Sequence, residues 1–203
     1  NFIIDIRNNG GGADRSYSEL IPFLYTNPIR TVGVEYYSTE LNNQRMLDFI
    51  EKPEYGFDAD GKAWARESYD KLSTGLGLFM SLNEEPVTVR TEDTVLPFPR
   101  QVAILINENN GSTAEQFLLA AKQSKKVKLF GVTTMGVLDI SNMYFVNSPC
   151  DQFQLGYSLT RSMRIPDMAI DDKGIMPDYY LDRTVPKYEW LAFTRRILAG
   201  GDR

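Results

Sequence analysis

The chain has 203 residues, 42% of them hydrophobic and 24% charged, with a net charge of −5. That length admits one domain with a sizeable core, or a domain with a small appendage, and the acidic balance without any basic stripe argues against a nucleic-acid partner. Histidine is absent and Cys150 is the single cysteine, which excludes the commonest general base, a disulfide framework and a thiolate metal cluster.

The first element is a short apolar strand over 2–6, where Phe2, Ile3, Ile4 and Ile6 form a buried-type run. The chain starts inside this strand, with no initiator Met and no leader, and is therefore read as a piece of a longer protein whose targeting segment lies elsewhere. Three glycines, Gly10 to Gly12, follow directly. They fit a tight turn, and they equally fit a backbone that must approach a ligand closely.

"SYSELIPFLYT" places Leu20, Ile21, Phe23 and Leu24 on one helical face, with Ser16 or Ser18 as the cap. The alternating "TVGVEYYS" at 31–38 reads as a strand. Helical patterns near 40–51 and 61–80 flank the loop "KPEYGFDADG". The second carries Trp64, Tyr69, Leu72, Leu76 and Phe79, a stripe that reads as core packing.

"QVAILIN" at 101–107 is the strongest strand and "STAEQFLLAAKQS" at 112–124 the strongest helix. "VKLFGV" adds a strand, "DISNMYFVN" and "DQFQLGYSLT" a hairpin around "SPCD", and "KYEWLAFTRRILAG" a last helix stopped by Gly200. Strand and helix alternate, so the class is α/β with right-handed crossovers. No run of apolar residues reaches membrane-spanning length.

Four short motifs could carry chemistry. The first is "IIDIRNNGGG". In the second, "ILINENNGSTAEQF", a buried strand runs out through a loop and a helix begins at Ser112. Free first-turn N–H groups at such a point stabilise an anion, which suits a nucleophile and its oxyanion. Ser112 and Glu115 also satisfy the capping box, in which both merely occupy backbone donors. "GVTTMG" at 131–136 and "DDKGIMPD" at 171–178 are glycine turns at strand ends.

Together and in this order, the motifs resemble the C-terminal-processing (tail-specific) peptidases and their tricorn-type relatives. The resemblance implies an α/β, Clp-protease/crotonase-like spiral of ββα units over 1–203, with a family-divergent helical insertion at about 30–100 between the glycine loop and the nucleophile. It puts the nucleophile at Ser112, one oxyanion donor at the Thr113 N–H, and the other at Gly11 or, in second place, Gly12. It implies a peptide or protein substrate, no metal or cofactor, and a place in the cell envelope or periplasm.

The pattern breaks at the base. Processing peptidases carry a lysine directly after the glycine of the third motif, and Val137 stands there. Lys122 is ten residues along the same helix from Ser112, about 15 Å away at ~1.5 Å per residue. In the tricorn-type pattern a histidine from preceding sequence serves, oriented by an acid that falls here on Asp171. The expected function is thus a serine peptidase acting through a Ser112 acyl-enzyme. The alternatives are a pseudo-peptidase that binds peptides without cutting them, and a crotonase-like acyl-CoA enzyme. Asp5 and Arg7 are read as a pair holding the glycine loop, Cys150 as inert, Tyr157, Tyr179 and Tyr180 as strand packing, and Lys173 as a solvated turn charge.

Overall fold

The computed structural model describes residues 1–200. In chain order the strands and α-helices are β1 (Phe2–Asp5), α1 (Ile21–Leu24), β2 (Ile29–Val32), β3 (Val34–Tyr37), α2 (Glu40–Glu51), α3 (Ala59–Ser73), β4 (Phe79–Ser81), β5 (Val87–Arg90), β6 (Val102–Ile106), α4 (Thr113–Ala121), β7 (Val127–Gly131), β8 (Ile140–Asn147), β9 (Gln154–Ser162), β10 (Tyr179–Tyr180) and α5 (Trp190–Leu198). They fall into two compact units.

The first unit comprises Asn1–Thr31, Thr88–Leu138 and the chain from Ala169 onward. Its centre is a parallel sheet in the order β1-β6-β7-β10, with Phe2 opposite Val102 and Ile106 opposite Gly131. Every residue of β6 is buried, which accounts for its unbroken apolar run: a central parallel strand has helices on both faces. Successive side chains point to opposite faces. Val102, Ile104 and Ile106 join Phe117, Leu118 and Leu129 in one cluster, while Ala103 and Leu105 join Phe130, Leu181 and Trp190 in another. Because the strands are parallel, the loops leaving β1, β6 and β7 emerge at one edge. That is where open α/β sheets build their sites.

The second unit comprises Val32–Val87 and Asp139–Met168. Its sheet is antiparallel, in the order β4-β3-β9-β8, with Glu35 opposite both Ser81 and Arg161. Helices α2 and α3 pack on each other. Thr39 and Asp58 cap them by accepting from the Asn42 and Gly61 N–H groups. Arg164 and Asp139 form a buried ion pair at 2.8 Å. The stretch expected to be an insertion at 30–100 thus supplies only part of this unit, and 88–100 runs with the first.

Several local expectations are corrected. The segment 31–38 is two strands interrupted at Gly33, whose N–H donates to the Pro86 carbonyl. The helix expected from "SYSELIPFLYT" is a 3-10 turn over Asp14–Leu20 running into the one-turn α1, and no serine caps it; the Ser18 hydroxyl donates to the Arg15 carbonyl instead. The helical pattern at 61–80 ends at Ser73, and of its apolar stripe only Leu72 is buried. Trp64 instead stacks near Phe57, which stacks on Phe49. Tyr179 stacks on Phe130 at 4.3 Å, whereas Tyr180 is 65% exposed and packs on little.

Candidate active site

Strand β6 ends at Ile106, and the chain needs six residues to turn into α4. Asparagines fill that turn. Asn107 N–H donates to Asn110 Oδ1 at 2.7 Å, and the Asn110 amide donates to the carbonyls of Ile6 and Asn9. Asn8 N–H donates to Asn107 Oδ1, while the Asn107 and Asn109 amides donate back to Asn8 Oδ1. All but the Asn107–Asn110 bond join residues about a hundred positions apart and lock the first motif onto the second. Charge-free amides suit the task because each both donates and accepts.

The consequence is close backbone approach. A Cβ placed on Gly11 would lie 2.7 Å from Ser112 Cβ, 2.9 Å from the Gly111 carbonyl oxygen and 3.0 Å from Thr113 N, and Gly11 has φ +112°. Only glycine fits. The Thr113 hydroxyl reaches back to the Gly12 carbonyl at 2.8 Å, with Asp14 Oδ1 at 2.9 Å. Tyr17 lies beside this loop with its ring against Phe117. Burial first, then the charge of Asp14, pushes its phenol up to about 12.

Ser112 itself has φ 53° and ψ −126°, backbone angles that ordinary side chains avoid. Such a sharp, strained strand-to-helix turn presents a serine hydroxyl outward at the head of a helix, as in nucleophile elbows. Its side chain makes no capping bond. Thr113 is the first residue of α4, so its N–H has no acceptor within the helix.

The capping-box alternative therefore fails at both ends. Glu115 does not return to Ser112. It is fully buried, and its Oε1 accepts from Thr134 Oγ1 (2.5 Å) and Gly136 N–H (2.7 Å), its Oε2 from Val137 N–H (2.9 Å). One carboxyl group thereby ties the third motif to the nucleophile helix. The fourth motif docks on the third: Ile175 N–H donates to Thr134 Oγ1, and Cβ atoms on Gly136 or Gly174 would strike backbone of the opposite loop.

Val137 stands beside the nucleophile loop, its Cγ2 2.7 Å from where a Gly111 Cβ would be. The side chain that occupies this place is a hydrocarbon. Asp171 Oδ1 accepts from Leu138 N–H at 2.7 Å, fixing the chain just past Val137. Lys122 caps the far end of α4 and donates to the Met176 carbonyl.

Gly11 differs from expectation in one respect. Its N–H is engaged, donating to Asn9 Oδ1 at 2.9 Å. The Asp5–Arg7 pair also differs. It forms, at 2.6 Å, but Arg7 turns away from the glycine loop to donate to the Lys187 carbonyl and to cover the Trp190 ring. It anchors the start of α5 to β1.

The asparagine network and the Thr113 hydroxyl went unread in the sequence. The density of asparagine at 8–9 and 107–110 was the available signal, and it is also what ordinary turns look like. At the same sheet edge a cavity of about 580 Å³ is lined by Glu108, Thr133, Tyr180, Leu181 and Trp190, among others. Among the described residues no group of three or more His, Cys, Asp or Glu could hold a metal ion, and no helix is long and apolar enough to cross a membrane.

In structure the chain is similar to mature CPAF complexed with lactacystin, at a TM-score of 0.63 and 19% identity, over 97% of this chain and 43% of that one. It is similar to a candidate peptidase from Parabacteroides merdae (0.53, 15%, over 98% and 48%) and to a candidate S41 protease from Bacteroides fragilis (0.50, 16%, over 98% and 44%). At such identities the likeness concerns the fold, and the chain spans less than half the length of these relatives. No curated protein sequence matches it. The family model "Peptidase family S41" matches residues 1–181. With four motifs converging on one α/β core of the Clp-protease/crotonase-like kind, the chain belongs to peptidase family S41, a family of serine peptidases.

Proposed function

We propose that this chain is the catalytic core of a serine peptidase of the C-terminal-processing and tricorn type, acting through an acyl-enzyme at Ser112. The observation that carries the reading is the strained backbone of Ser112 at the head of α4, with Gly11 packed against it. The Ser112 hydroxyl attacks the peptide carbonyl carbon and forms the new C–O bond while its proton passes to a base. The oxygen of the carbonyl takes up the negative charge facing the Thr113 N–H and an N–H of the Gly11–Gly12 loop. Collapse expels the amine, which receives the proton, and water then releases the acyl group.

On the tricorn-type pattern the base is a histidine from sequence before the first motif, since this chain has no histidine and holds valine at the lysine position of the processing peptidases. Asp171, on the family pattern, is the acid that orients it. The substrate is a peptide or protein, taken as an extended segment beside a sheet edge, and the setting is the cell envelope or periplasm. Val137 also supports a second reading, in which the same groove binds peptides without cleaving them. Treating the full-length protein with a fluorophosphonate probe separates the two. Peptidase action requires labelling that Ser112→Ala abolishes; absence of label, or label that survives that substitution, leaves binding alone.

A further inference from the structure

The Gly11 amide has an internal acceptor. Asn9 Oδ1 takes its N–H at 2.9 Å, so the donor that the proposed mechanism would aim at an oxyanion is already satisfied. Nothing else in the loop depends on that contact. The Asn9 main chain is fixed by its own bonds: its N–H donates to the Ile6 carbonyl, and its carbonyl accepts from the Asn110 amide and from Gly111 N–H. The Asn9 side chain is exposed, and its bond to Gly11 is its one hydrogen bond among the described residues. The loop residues with positive φ are Asn8 (66°), Gly11 (112°) and Gly12 (150°), not Asn9, so Asn9 is not required for its backbone conformation.

Building on the peptidase reading, we infer that Asn9 is a positioning residue that latches the second oxyanion donor. The side-chain amide holds the Gly11 N–H until a substrate carbonyl arrives, and the developing oxyanion, a stronger acceptor than a neutral amide oxygen, displaces it. Among the described residues the Thr113 N–H has no such occupant, so the hole is half open at rest. The latch taxes every acceptor that enters the site and yields best to the one that carries charge, which favours the transition state over the ground state.

The test uses the full-length protein, ¹⁵N-labelled at glycine, with Asn9→Ala and Asn9→Leu, which lack the acceptor, and Asn9→Asp, which keeps it. The latch predicts faster amide exchange at Gly11 in the first two. It also predicts fluorophosphonate labelling of Ser112 accelerated about 3- to 10-fold, the worth of one ordinary hydrogen bond. Asn9→Asp should label at the wild-type rate or more slowly. A purely structural role would slow Asn9→Ala and Asn9→Leu instead. Labelling at Ser112 that is unchanged or slower in both overturns the latch and hands the second donor to Gly12. No labelling in any of the four proteins overturns the peptidase reading itself, and the positioning role of Asn9 with it, whatever Gly11 exchange shows.

Discussion

Gly11 and Ser112 meet so closely that any side chain on the glycine would start 2.7 Å from the serine's Cβ. Gly11→Ala therefore has two penalties, a left-handed φ of +112° and a collision with stiff backbone at Gly111 and Thr113. The loop must withdraw, and its donor with it. Labelling of Ser112 should fall by about 100-fold or more, the usual effect of losing an oxyanion donor. Gly12→Ala carries only the first kind of penalty, a φ of +150°, because a Cβ there meets nothing within 4 Å, so labelling should fall less than in Gly11→Ala.

Glu115 should behave as the keystone between α4 and the third motif. Glu115→Gln keeps the shape but turns an amide N–H₂ toward one of three donors, Thr134 Oγ1, Gly136 N–H or Val137 N–H. The cost of that conflict in a buried site is about 2–3 kcal/mol. In a chain of this size it should lower Tm by about 5–10 °C. Thermal melting followed by circular dichroism measures this directly, and an unchanged Tm would contradict the three-bond arrangement.

Tyr17 should titrate late. Its folded value of about 12 lies above the usual 10.0, chiefly because burial disfavours the phenolate. A raised value means the folded state holds its proton more tightly than the unfolded state. The associated stability is complete below pH 10 and is lost as pH rises toward 12. Absorbance at 295 nm should show a late phase after the exposed tyrosines ionise, shared with Tyr36, Tyr144 and Tyr157, which burial also raises, and Tyr17→Phe should remove one tyrosine's amplitude from it.

Thr194 lies buried on α5 with a hydroxyl that has no hydrogen-bond partner among the described residues. A desolvated, unpaired hydroxyl is a standing penalty. Thr194→Val is isosteric and should stabilise the protein by about 1 kcal/mol, raising Tm by about 2–4 °C. Thr194→Ser retains the hydroxyl and removes a methyl, and should destabilise instead.

The peptide chain announced its own strands and helices wherever a local period was enough. The five buried residues of β6, the helix α4, the β8–β9 hairpin and the last helix follow from apolar spacing and turn residues within a dozen positions. Ser112 and the glycine loop were likewise visible as motifs. Local pattern could not say whether Ser112 and Glu115 cap a helix or serve two distant loops, since either use needs the same residues at the same spacing. Nor could it show that 139–168 would pair with 32–87, through Val34 opposite Ser162. Those outcomes depend on which strands become neighbours. Once β1, β6 and β7 lie parallel, their trailing loops share one edge, and buried polar groups must find partners there or stay unpaired. The asparagines bridge Asn8 to Asn107, and Glu115 meets the Gly136 amide. Sequence supplied the donors and acceptors, and the sheet order decided which of them meet.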